Sequence, residues 1–398
     1  MRLQLRHAAY VAAAVAVLIP LRGYAQGSLA VQGVGYPPGQ FSTRTGSTGG
    51  ALAEIDPLSP INPAALGNLG TTTIYFQAEP EYRRVEVGGL TTKTSQSRFP
   101  VMSGGFTMGS RWAAGLSFST IADRTWQNAV ESIEVIGGEA AHAIDTTRSR
   151  GAINDTRFAL AYAPISWLQV GVGFHAFSGQ NQVRLKRVFV DPDDPTALDP
   201  RFAVFADSNV ISYGGNAISA GIEARAQGLG SLAISYRAGG RISAESGAGD
   251  SVIGRANLPD RLGISLAYLG IARSAIAVRA ARESWSELNG IGQQGFRARD
   301  TWDYSVGGDI AGPRFGPRVL MLRVGARWRD LPFAVVGPDG LPGPTVRETS
   351  IAGGIGTLLA NGRTALDLGV IRASRTADLA ADVSERSWFL SIGLTVRP

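Results

Sequence analysis

The chain of 398 residues contains no cysteine and only three histidines. The absence of cysteine excludes disulfides, thiolate metal sites, iron–sulfur clusters and a cysteine nucleophile. One of the histidines, His7, lies in the first residues, so little material remains for a histidine-rich metal centre. The sequence therefore predicts no metal site and no bound cofactor.

Charged residues are also sparse, at 18%, and lysine is almost missing. Only Lys93 and Lys186 are lysine, so 36 of the 38 basic residues are arginine. These arginines are scattered along the chain without a run of five or six. Because nucleic-acid-binding surfaces show clustered cations, we expect no nucleic-acid partner.

Long apolar runs are absent after the first 25 residues, which excludes membrane-spanning helices there. The N-terminus itself has a charged start, an apolar stretch over residues 8–21, and Gly23-Tyr24-Ala25 before Gln26. This pattern predicts a secretory signal peptide over residues 1–25. A membrane anchor is the alternative, but the apolar stretch is shorter than the ~20 residues that span a bilayer.

Alternation of apolar and polar residues is what the rest of the chain has in abundance. In the last segment Trp388, Leu390, Ile392 and Leu394 share one face, and mostly small or polar residues occupy the other. Most such segments exceed the ~10 residues that a tilted strand needs to cross a membrane. We predict fourteen strands, near residues 70–87, 97–109, 111–126, 152–163, 167–184, 206–226, 231–244, 253–269, 273–285, 297–311, 318–330, 346–359, 363–375 and 384–397.

The connections between these segments alternate in length, with short turns separating longer polar loops such as 127–151 and 185–205. An even number of strands with short turns at one rim and long loops at the other is typical of outer-membrane barrels. We therefore predict an all-β fold, a fourteen-stranded antiparallel transmembrane β-barrel over residues 70–398. Its expected location is the cell outer membrane, where its partners would include outer-membrane lipid and the barrel-assembly machinery.

Residues 26–69 do not alternate, and they are rich in Gly, Pro, Ser and Thr. A segment this short cannot form its own core, yet it carries apolar residues that must pack somewhere. The barrel lumen is the available place. We predict an N-terminal hatch in which Phe41, Leu52 and Leu58 contact the barrel interior or a ligand.

The hatch also carries a recognisable motif: Gly49-Gly50-Ala51, then Asp56, then Asn62-Pro63-Ala64-Ala65-Leu66 just before the first strand. It resembles the hatch of FadL-type outer-membrane transporters of long-chain fatty acids and other hydrophobic compounds, including their PorV-like relatives. In physical terms, Asn62 can cap a turn that begins with Pro63 at its first helical position. The resemblance implies fourteen strands and a hydrophobic small-molecule ligand.

Charged residues on the inward face give two open interpretations. They either brace the lumen as mutually paired groups, or they form a polar path with a carboxylate-binding patch at Arg323, Arg327 and Arg329. Asp367 and the lone His175 also point inward by parity. Since no serine motif accompanies His175, we expect no catalytic residues and no enzyme activity.

Three functions remain. The resemblance favours an outer-membrane channel for passive uptake of hydrophobic, long-chain-fatty-acid-like molecules, and a continuous apolar tunnel would support it. The alternatives are a non-transporting PorV-like protein that binds or shuttles surface or secreted proteins, and a simple polar porin. A lumen sealed by salt bridges would favour the protein-binding alternative, and an open water channel would favour the porin.

Overall fold

The structure is a computed structural model. It describes residue 29 and residues 33–87, 90–192, 194, 197–247, 251–291, 297–316, 318–334, 343, 345–377 and 383–398. The predicted signal peptide lies outside the described residues, as do the first residues of the predicted hatch.

Strands account for most of the described chain. They are β1 (Thr73–Val87), β2 (Leu90–Arg98), β3 (Val101–Met108), β4 (Trp112–Asp123), β5 (Trp126–Ile136), β6 (Glu139–Ile165), β7 (Leu168–Val190), β8 (Phe205–Ala226), β9 (Gly230–Ser246), β10 (Ser251–Asn257), β11 (Arg261–Tyr268), β12 (Ala275–Glu283), β13 (Thr301–Phe315), β14 (Arg318–Asp330), β15 (Arg347–Leu359), β16 (Thr364–Thr376) and β17 (Val383–Val396).

Three pairs of these segments each form one interrupted strand of the barrel wall. β1 pairs with both β2 and β3, β6 pairs with both β4 and β5, and β9 pairs with both β10 and β11. Counted this way, the described residues form fourteen antiparallel strands in one sheet. β17 pairs back to β1, with Val396 opposite Ile74, so the sheet closes. The predicted fourteen-stranded antiparallel barrel is confirmed.

The two rims of the barrel differ, and at the upper rim the structure corrects two predicted loops. At the lower rim, where the chain enters β1, neighbouring strands are joined by turns of two to six residues. At the upper rim, residues 127–151 are not a loop, because β5 and the start of β6 form a hairpin there. β7 likewise continues to Val190, which corrects the predicted loop over 185–205. These extensions carry polar residues on both faces, which hid their strand character from the alternation pattern.

The two faces of the wall follow the predicted parity. On β17, Leu390, Ile392 and Leu394 point outward and are about half exposed, while Phe389 and Ser391 point inward and are buried. Outward apolar side chains recur on the neighbouring strands, so the barrel carries an apolar outer band. Among the described residues no helix is both long and apolar enough to cross a membrane.

The lumen is filled by the chain that precedes β1. This hatch contains helix α1 (Thr43–Ser47) and a 3-10 helix (Pro63–Asn68). Two further 3-10 turns, Trp285–Gly290 and Ala360–Gly362, lie between strands. Ser42 caps α1, since its side chain accepts a hydrogen bond from the backbone N–H of Thr45. Nearly every described residue of 40–66 is buried, although a segment of this length has no core of its own.

Candidate functional site: the plugged lumen

One buried carboxylate organises the first half of the hatch. Oδ2 of Asp56 accepts hydrogen bonds from the hydroxyls of Ser42 at 2.5 Å, Thr45 at 2.8 Å and Ser59 at 3.0 Å. All three donors are within the hatch, so the segment holds its own shape rather than lying loosely in the lumen. The Asp56 of the hatch motif therefore has a structural role that the sequence pattern alone did not explain.

The second half of the hatch is fixed by Asn62. Its Oδ1 accepts the backbone N–H of Ala64 at 3.0 Å, and its Nδ2 donates to the carbonyl of Glu54 at 2.7 Å. Pro63 occupies the first helical position, where its missing N–H costs nothing. The 3-10 helix then lies directly against the wall: a Cβ on Gly221 would lie 1.8 Å from Oδ1 of Asn62. Glycine is required at that wall position by the close approach.

Charge pairs join the hatch to the wall near its centre. Glu54 Oε1 lies 2.5 Å from Arg261 Nη2, and Glu54 Oε2 lies 3.0 Å from Arg279 Nε and 2.5 Å from the Ser265 hydroxyl. Burial by itself raises the pKa of Glu54, but the Arg279 and Arg261 guanidiniums and the Ser265 hydrogen bond outweigh it and hold that pKa below its ordinary value. Glu54 is therefore a buried, ionised link between hatch and barrel.

A larger set of charges closes the lumen nearer the upper rim. We call it the upper charge cluster; it consists of Arg83, Arg98, Arg329 and Arg375 with Glu81, Asp123, Glu348 and Glu385. Four cations thus meet four carboxylates. Each of these side chains is less than one tenth exposed. The charges of the cluster therefore balance, although Nη1 of Arg98 and Nη2 of Arg375 have no hydrogen-bond partner among the described residues.

Tyr36 of the hatch sits at the centre of the upper charge cluster. Its hydroxyl accepts from Arg329 Nη2 at 2.6 Å and donates to Glu348 Oε2 at 3.1 Å. Its ring centroid lies 4.6–5.2 Å from three guanidinium carbons, those of Arg98, Arg329 and Arg375. The backbone of Tyr36 also exchanges two hydrogen bonds of 2.8 Å with Asp123. The hatch is therefore tied to the wall at its top as well as at its centre.

The predicted hatch contacts occupy different environments. Phe41 is buried between two wall arginines, with its ring centroid 5.3 Å from the guanidinium carbon of Arg279 and 4.7 Å from that of Arg327. Leu52 is buried against Ala267, Ala275 and other small wall residues, while Leu58 is only half-buried. Phe41 and Leu52 therefore contact wall residues, while contact of Leu58 with the barrel interior stays a prediction. Their role in binding a ligand stays a prediction.

Two open spaces lie within the described part of the barrel. A cavity of about 40 Å³ lies beside Tyr36, Gln40, Phe41 and Glu79, below the upper charge cluster. A second space of about 340 Å³ opens near the lower rim beside Arg44 and Asp309. Arg44 Nε lies 2.7 Å from Asp309 Oδ2, so a hatch–wall ion pair borders that space. Neither space forms a continuous apolar tunnel.

The three arginines of the predicted carboxylate-binding patch are all neutralised by the chain itself. Arg323 lies 3.2 Å from Asp309 and 2.6 Å from Asp367. Arg327 pairs with Asp303 at 2.7 Å, and Arg329 with Glu348 at 2.6 Å. These pairs correspond to the interpretation in which the inward charges brace the lumen. Arg157 differs from these three arginines, because its Nε and Nη1 are buried without a hydrogen-bond partner in the described part of the chain.

His175 is the middle member of a buried row of three polar groups. Its Nδ1 lies 2.9 Å from Asp155 Oδ2, and its Nε2 lies 2.8 Å from the Ser219 hydroxyl. These distances are those of a serine-hydrolase triad. However, Ser219 is packed against Gly173 and is only 6% exposed, and neither cavity described above is lined by it. Gln40 donates to Asp155 at 3.1 Å, so the row serves here to hold the hatch.

Sequence reasoning missed the upper charge cluster. The alternation on β1 would have placed Glu81 and Arg83 inside, because Tyr82 and Arg84 take the outward positions. The same parity on β15 and β16 would have placed Glu348 and Arg375 inside. Tyr36 carried no detectable signal, since the residues around it have no periodicity.

Comparison with solved structures identifies the fold. The chain is similar to a Pseudomonas aeruginosa FadL homologue, with 13% identity over 91% of this chain and 99% of that chain and a TM-score of 0.61. The Pseudomonas putida toluene transporter TodX shares 12% identity over 90% of this chain and 98% of its own, with a TM-score of 0.60. The CymD monoaromatic hydrocarbon channel shares 15% identity over 92% of this chain and 98% of its own, with a TM-score of 0.55. The chain has the FadL-type fold.

Sequence comparison adds nothing to this, because no family model and no curated protein matches the chain. The FadL-type fold agrees with the resemblance found in the hatch motif. At 12–15% identity the likeness covers the architecture of the barrel and does not extend to individual lumen residues.

Proposed function

We propose that this barrel is an outer-membrane channel for the passive uptake of hydrophobic small molecules, with long-chain-fatty-acid-like compounds as the ligand class. The observation that carries the proposal is the FadL-type fold, shared over about nine tenths of the chain with solved hydrocarbon channels. The apolar outer band of the barrel supports the membrane location. A passive channel needs no catalytic group and no cofactor.

The hatch occupies the described lumen, so uptake by this barrel requires the hatch to shift. The charged links that must break include the hatch–wall contacts of Glu54, Arg44 and Tyr36. Each is an ion pair or a charge-assisted hydrogen bond, which holds the hatch firmly but can be exchanged for water once the segment moves. The closed structure is thus the resting state of the proposed channel.

The wall offers a candidate passage beside the hatch. β2 pairs with β1 and β5 pairs with β6, but the described residues form no backbone ladder between β2 and β5. The wall strands are interrupted there at Phe99-Pro100 and at Arg124-Thr125. Tyr36 covers the interruption by pairing with Asp123. A movement of Tyr36 would therefore open the lumen sideways, toward the outer leaflet.

One observation favours a second candidate function. The hatch fills the described lumen and is held to the wall by salt bridges, as expected for a PorV-like protein that binds or shuttles surface or secreted proteins. The β5–β6 hairpin also projects above the wall and exposes Ile133 and Val135, which are 66% and 75% accessible. In this interpretation the hatch only seals the lumen and never moves.

A reversible lock on the hatch distinguishes the two functions. The hydroxyls of Thr43 in the hatch and Ser391 in the wall lie 2.8 Å apart, so T43C/S391C brings two thiols within disulfide distance. The natural chain has no cysteine to interfere. In liposomes, the oxidised double variant should take up oleate and toluene at least tenfold more slowly than the reduced form, and dithiothreitol should restore uptake.

The control is a crosslink that stays within the hatch. The hydroxyls of Thr45 and Ser59 lie 3.0 Å apart, and both residues belong to the hatch. T45C/S59C therefore tests the effect of a disulfide without tying the hatch to the wall. Equal uptake by wild type and the oxidised T43C/S391C variant, or no uptake by wild type, would refute a gated channel and favour the protein-binding function.

A further inference from the structure

A row of cations crosses the outer face of the barrel near its upper rim. Arg386 on β17 lies directly opposite Arg84 on β1, and Arg84 lies directly opposite Lys93 on β2. All three side chains are exposed and point away from the lumen. Arg372 on β16 lies opposite Trp388, which is two residues along β17 from Arg386, and it also points outward. We call these four residues the outer basic patch.

The arrangement is unfavourable within the protein itself. Like charges directly opposite on neighbouring strands destabilise a sheet. Arg84 is partly compensated by Glu86, at 2.9 Å. For Lys93 and Arg386 the described residues provide no carboxylate within ion-pair distance. By contrast, Arg83 and Glu385, the inward neighbours along the same strands, belong to the fully paired upper charge cluster.

The position of the patch indicates what faces it. Two residues along from Arg386 and Arg84 toward the membrane, Trp388 lies opposite Tyr82, and both rings point outward. Below them the outer face of β17 continues with Leu390, Ile392 and Leu394. Aromatic side chains of this kind mark the boundary between headgroups and hydrocarbon. The outer basic patch therefore lies at the level of the lipid headgroups.

We propose that the outer basic patch is a binding site for an anionic lipid of the outer leaflet whose headgroup carries two phosphate groups, an inference that rests on the proposed membrane location. Basic residues at this level attract anionic headgroups. Arg386 and Lys93 are separated by two strand spacings, roughly 10 Å, with Arg84 between them, so the row presents three cations side by side. A headgroup with two phosphates can engage the whole row.

The aromatic neighbours complete the site. Arg372 lies over the Trp388 ring, with its guanidinium carbon 5.6 Å from the ring centroid. This cation–π contact orients the arginine along the outer surface toward the same patch. Trp388 and Tyr82 then offer flat apolar surfaces beneath the phosphates, where the uncharged part of the headgroup would rest. Charge and shape thus favour a phosphorylated glycolipid over a zwitterionic lipid.

The test measures lipid retention by the reconstituted full chain. Barrels are incorporated into phosphatidylethanolamine nanodiscs that contain either diphosphorylated lipid A or its dephosphorylated form, and bound lipid is counted by native mass spectrometry. R84Q/K93Q/R386Q should retain on the order of 100-fold less diphosphorylated lipid A, since each of the three basic residues contributes about fivefold near an anionic surface. Binding of the dephosphorylated lipid should not change.

Matched variants test whether lipid retention depends on the position of the charges rather than on their number or on a loss of folding. R111Q/R318Q/R363Q removes three exposed charges at the lower rim and should retain lipid A as wild type does. R84K/R386K keeps the charge and should retain most of the binding. Heat-modifiable migration on a gel confirms that each variant is folded.

Three results would overturn the proposal: unchanged retention by R84Q/K93Q/R386Q, equal retention of the two lipid A forms by wild type, or displacement of lipid A by millimolar inorganic phosphate. The last result would indicate a site for a free anion. A barrel that does not enter nanodiscs would refute the membrane location itself. If the wild type retained lipid A but took up no solute in liposomes, only the proposed channel function would be refuted.

Discussion

The Tyr36 hydroxyl lies 2.6 Å from Nη2 of Arg329, so a phenol of the hatch completes a charge network that belongs to the wall. The two residues are separated by 293 positions in sequence. The Tyr36 ring and hydroxyl together contact four buried charges, on Arg98, Arg329, Glu348 and Arg375. The closed state of the barrel therefore depends on one aromatic residue that brings together β2, β14, β15 and β16 at the upper rim.

Removal of this hydroxyl should loosen the hatch. In Tyr36→Phe the ring remains beside the guanidiniums, but Arg329 Nη2 loses a buried acceptor and Glu348 loses a donor. We expect a loss of about 1–3 kcal/mol in the free energy of unfolding, measured by guanidinium titration in detergent. Ionic leak through planar bilayers should rise as well. Tyr82→Phe, at an exposed outward position, is the control and should change neither quantity.

Acid should release the centre of the hatch through Glu54. Its pKa is held below the ordinary value, so the ionised form and its stabilising pairs are complete at neutral pH. The stability contributed by the pairs with Arg261 and Arg279 is lost as pH falls below about 4.3, the ordinary glutamate value, and through the lowered pKa. Bilayer conductance of the wild type should therefore rise below about pH 4.

Glu54→Gln should show the acid behaviour already at pH 7. The substitution leaves Arg261 and Arg279 without their shared carboxylate, and breaking a buried pair in this way costs about 3–5 kcal/mol. Conductance should already be high at pH 7 and should not rise further below about pH 4, where that of the wild type rises. Glu139→Gln removes an exposed carboxylate from the upper rim and serves as the control. An unchanged pH profile in Glu54→Gln would contradict the role given to this carboxylate.

The close approach of the 3-10 helix to the wall gives a steric prediction. In Gly221→Ala the new Cβ meets Oδ1 of Asn62 at 1.8 Å, so the hatch must move away from β8. We expect higher leak and a loss of about 1–3 kcal/mol, the usual cost of overpacking. Gly214→Ala on the same strand is the control, because no atom lies within 4 Å of its Cβ.

A second substitution should relieve the steric conflict. Asn62→Ala removes the oxygen that Gly221→Ala encounters, at the cost of the cap on the 3-10 helix. If the two sites interact as described, the double variant should be less destabilised than the sum of the single variants, and a double-mutant cycle measures the difference. Simple additivity of the two changes would mean that the wall and the hatch adjust independently.

Much of the barrel could be predicted from the sequence because the alternation of outward and inward side chains is a local property of each strand. The outward set of β17, from Trp388 to Leu394, follows from parity alone, and so does the burial of Phe389. The hairpin within 127–151 was missed for a physical reason. Its strands carry polar side chains on both faces, so their alternation is weak.

The interior of the lumen was only partly accessible to sequence reasoning. Parity could show that Arg323 and Asp367 point inward, but not that they lie 2.6 Å apart. Such pairs depend on the register of strands and on the path of the hatch, which are set by the closure of the whole barrel. For the same reason the Asp155–His175–Ser219 row could not be seen, although its members lie on three consecutive strands.

Arg157 gives the sharpest contrast with the paired arginines of the lumen. Its guanidinium is 3% exposed, and the described residues supply no carboxylate or hydrogen-bond acceptor to its Nε and Nη1. Arg327 is comparably buried but shares two hydrogen bonds of 2.7–2.8 Å with Asp303. An isolated buried charge costs several kcal/mol, whereas a paired one becomes costly only when its partner is left behind. The two arginines should therefore respond oppositely to the same substitution.

We expect Arg157→Met to leave the free energy of unfolding unchanged or to raise it by about 1–3 kcal/mol, since a buried charge without a hydrogen-bonded carboxylate is replaced by an apolar side chain of similar length. Arg327→Met should lower it by about 3–5 kcal/mol, because Asp303 then retains only Arg279. Unfolding in detergent at pH 7, followed by heat-modifiable migration, measures both. If Arg157→Met destabilised the barrel as strongly as Arg327→Met, the Arg157 guanidinium would be compensated in the folded protein, and the contrast between the two arginines would be wrong.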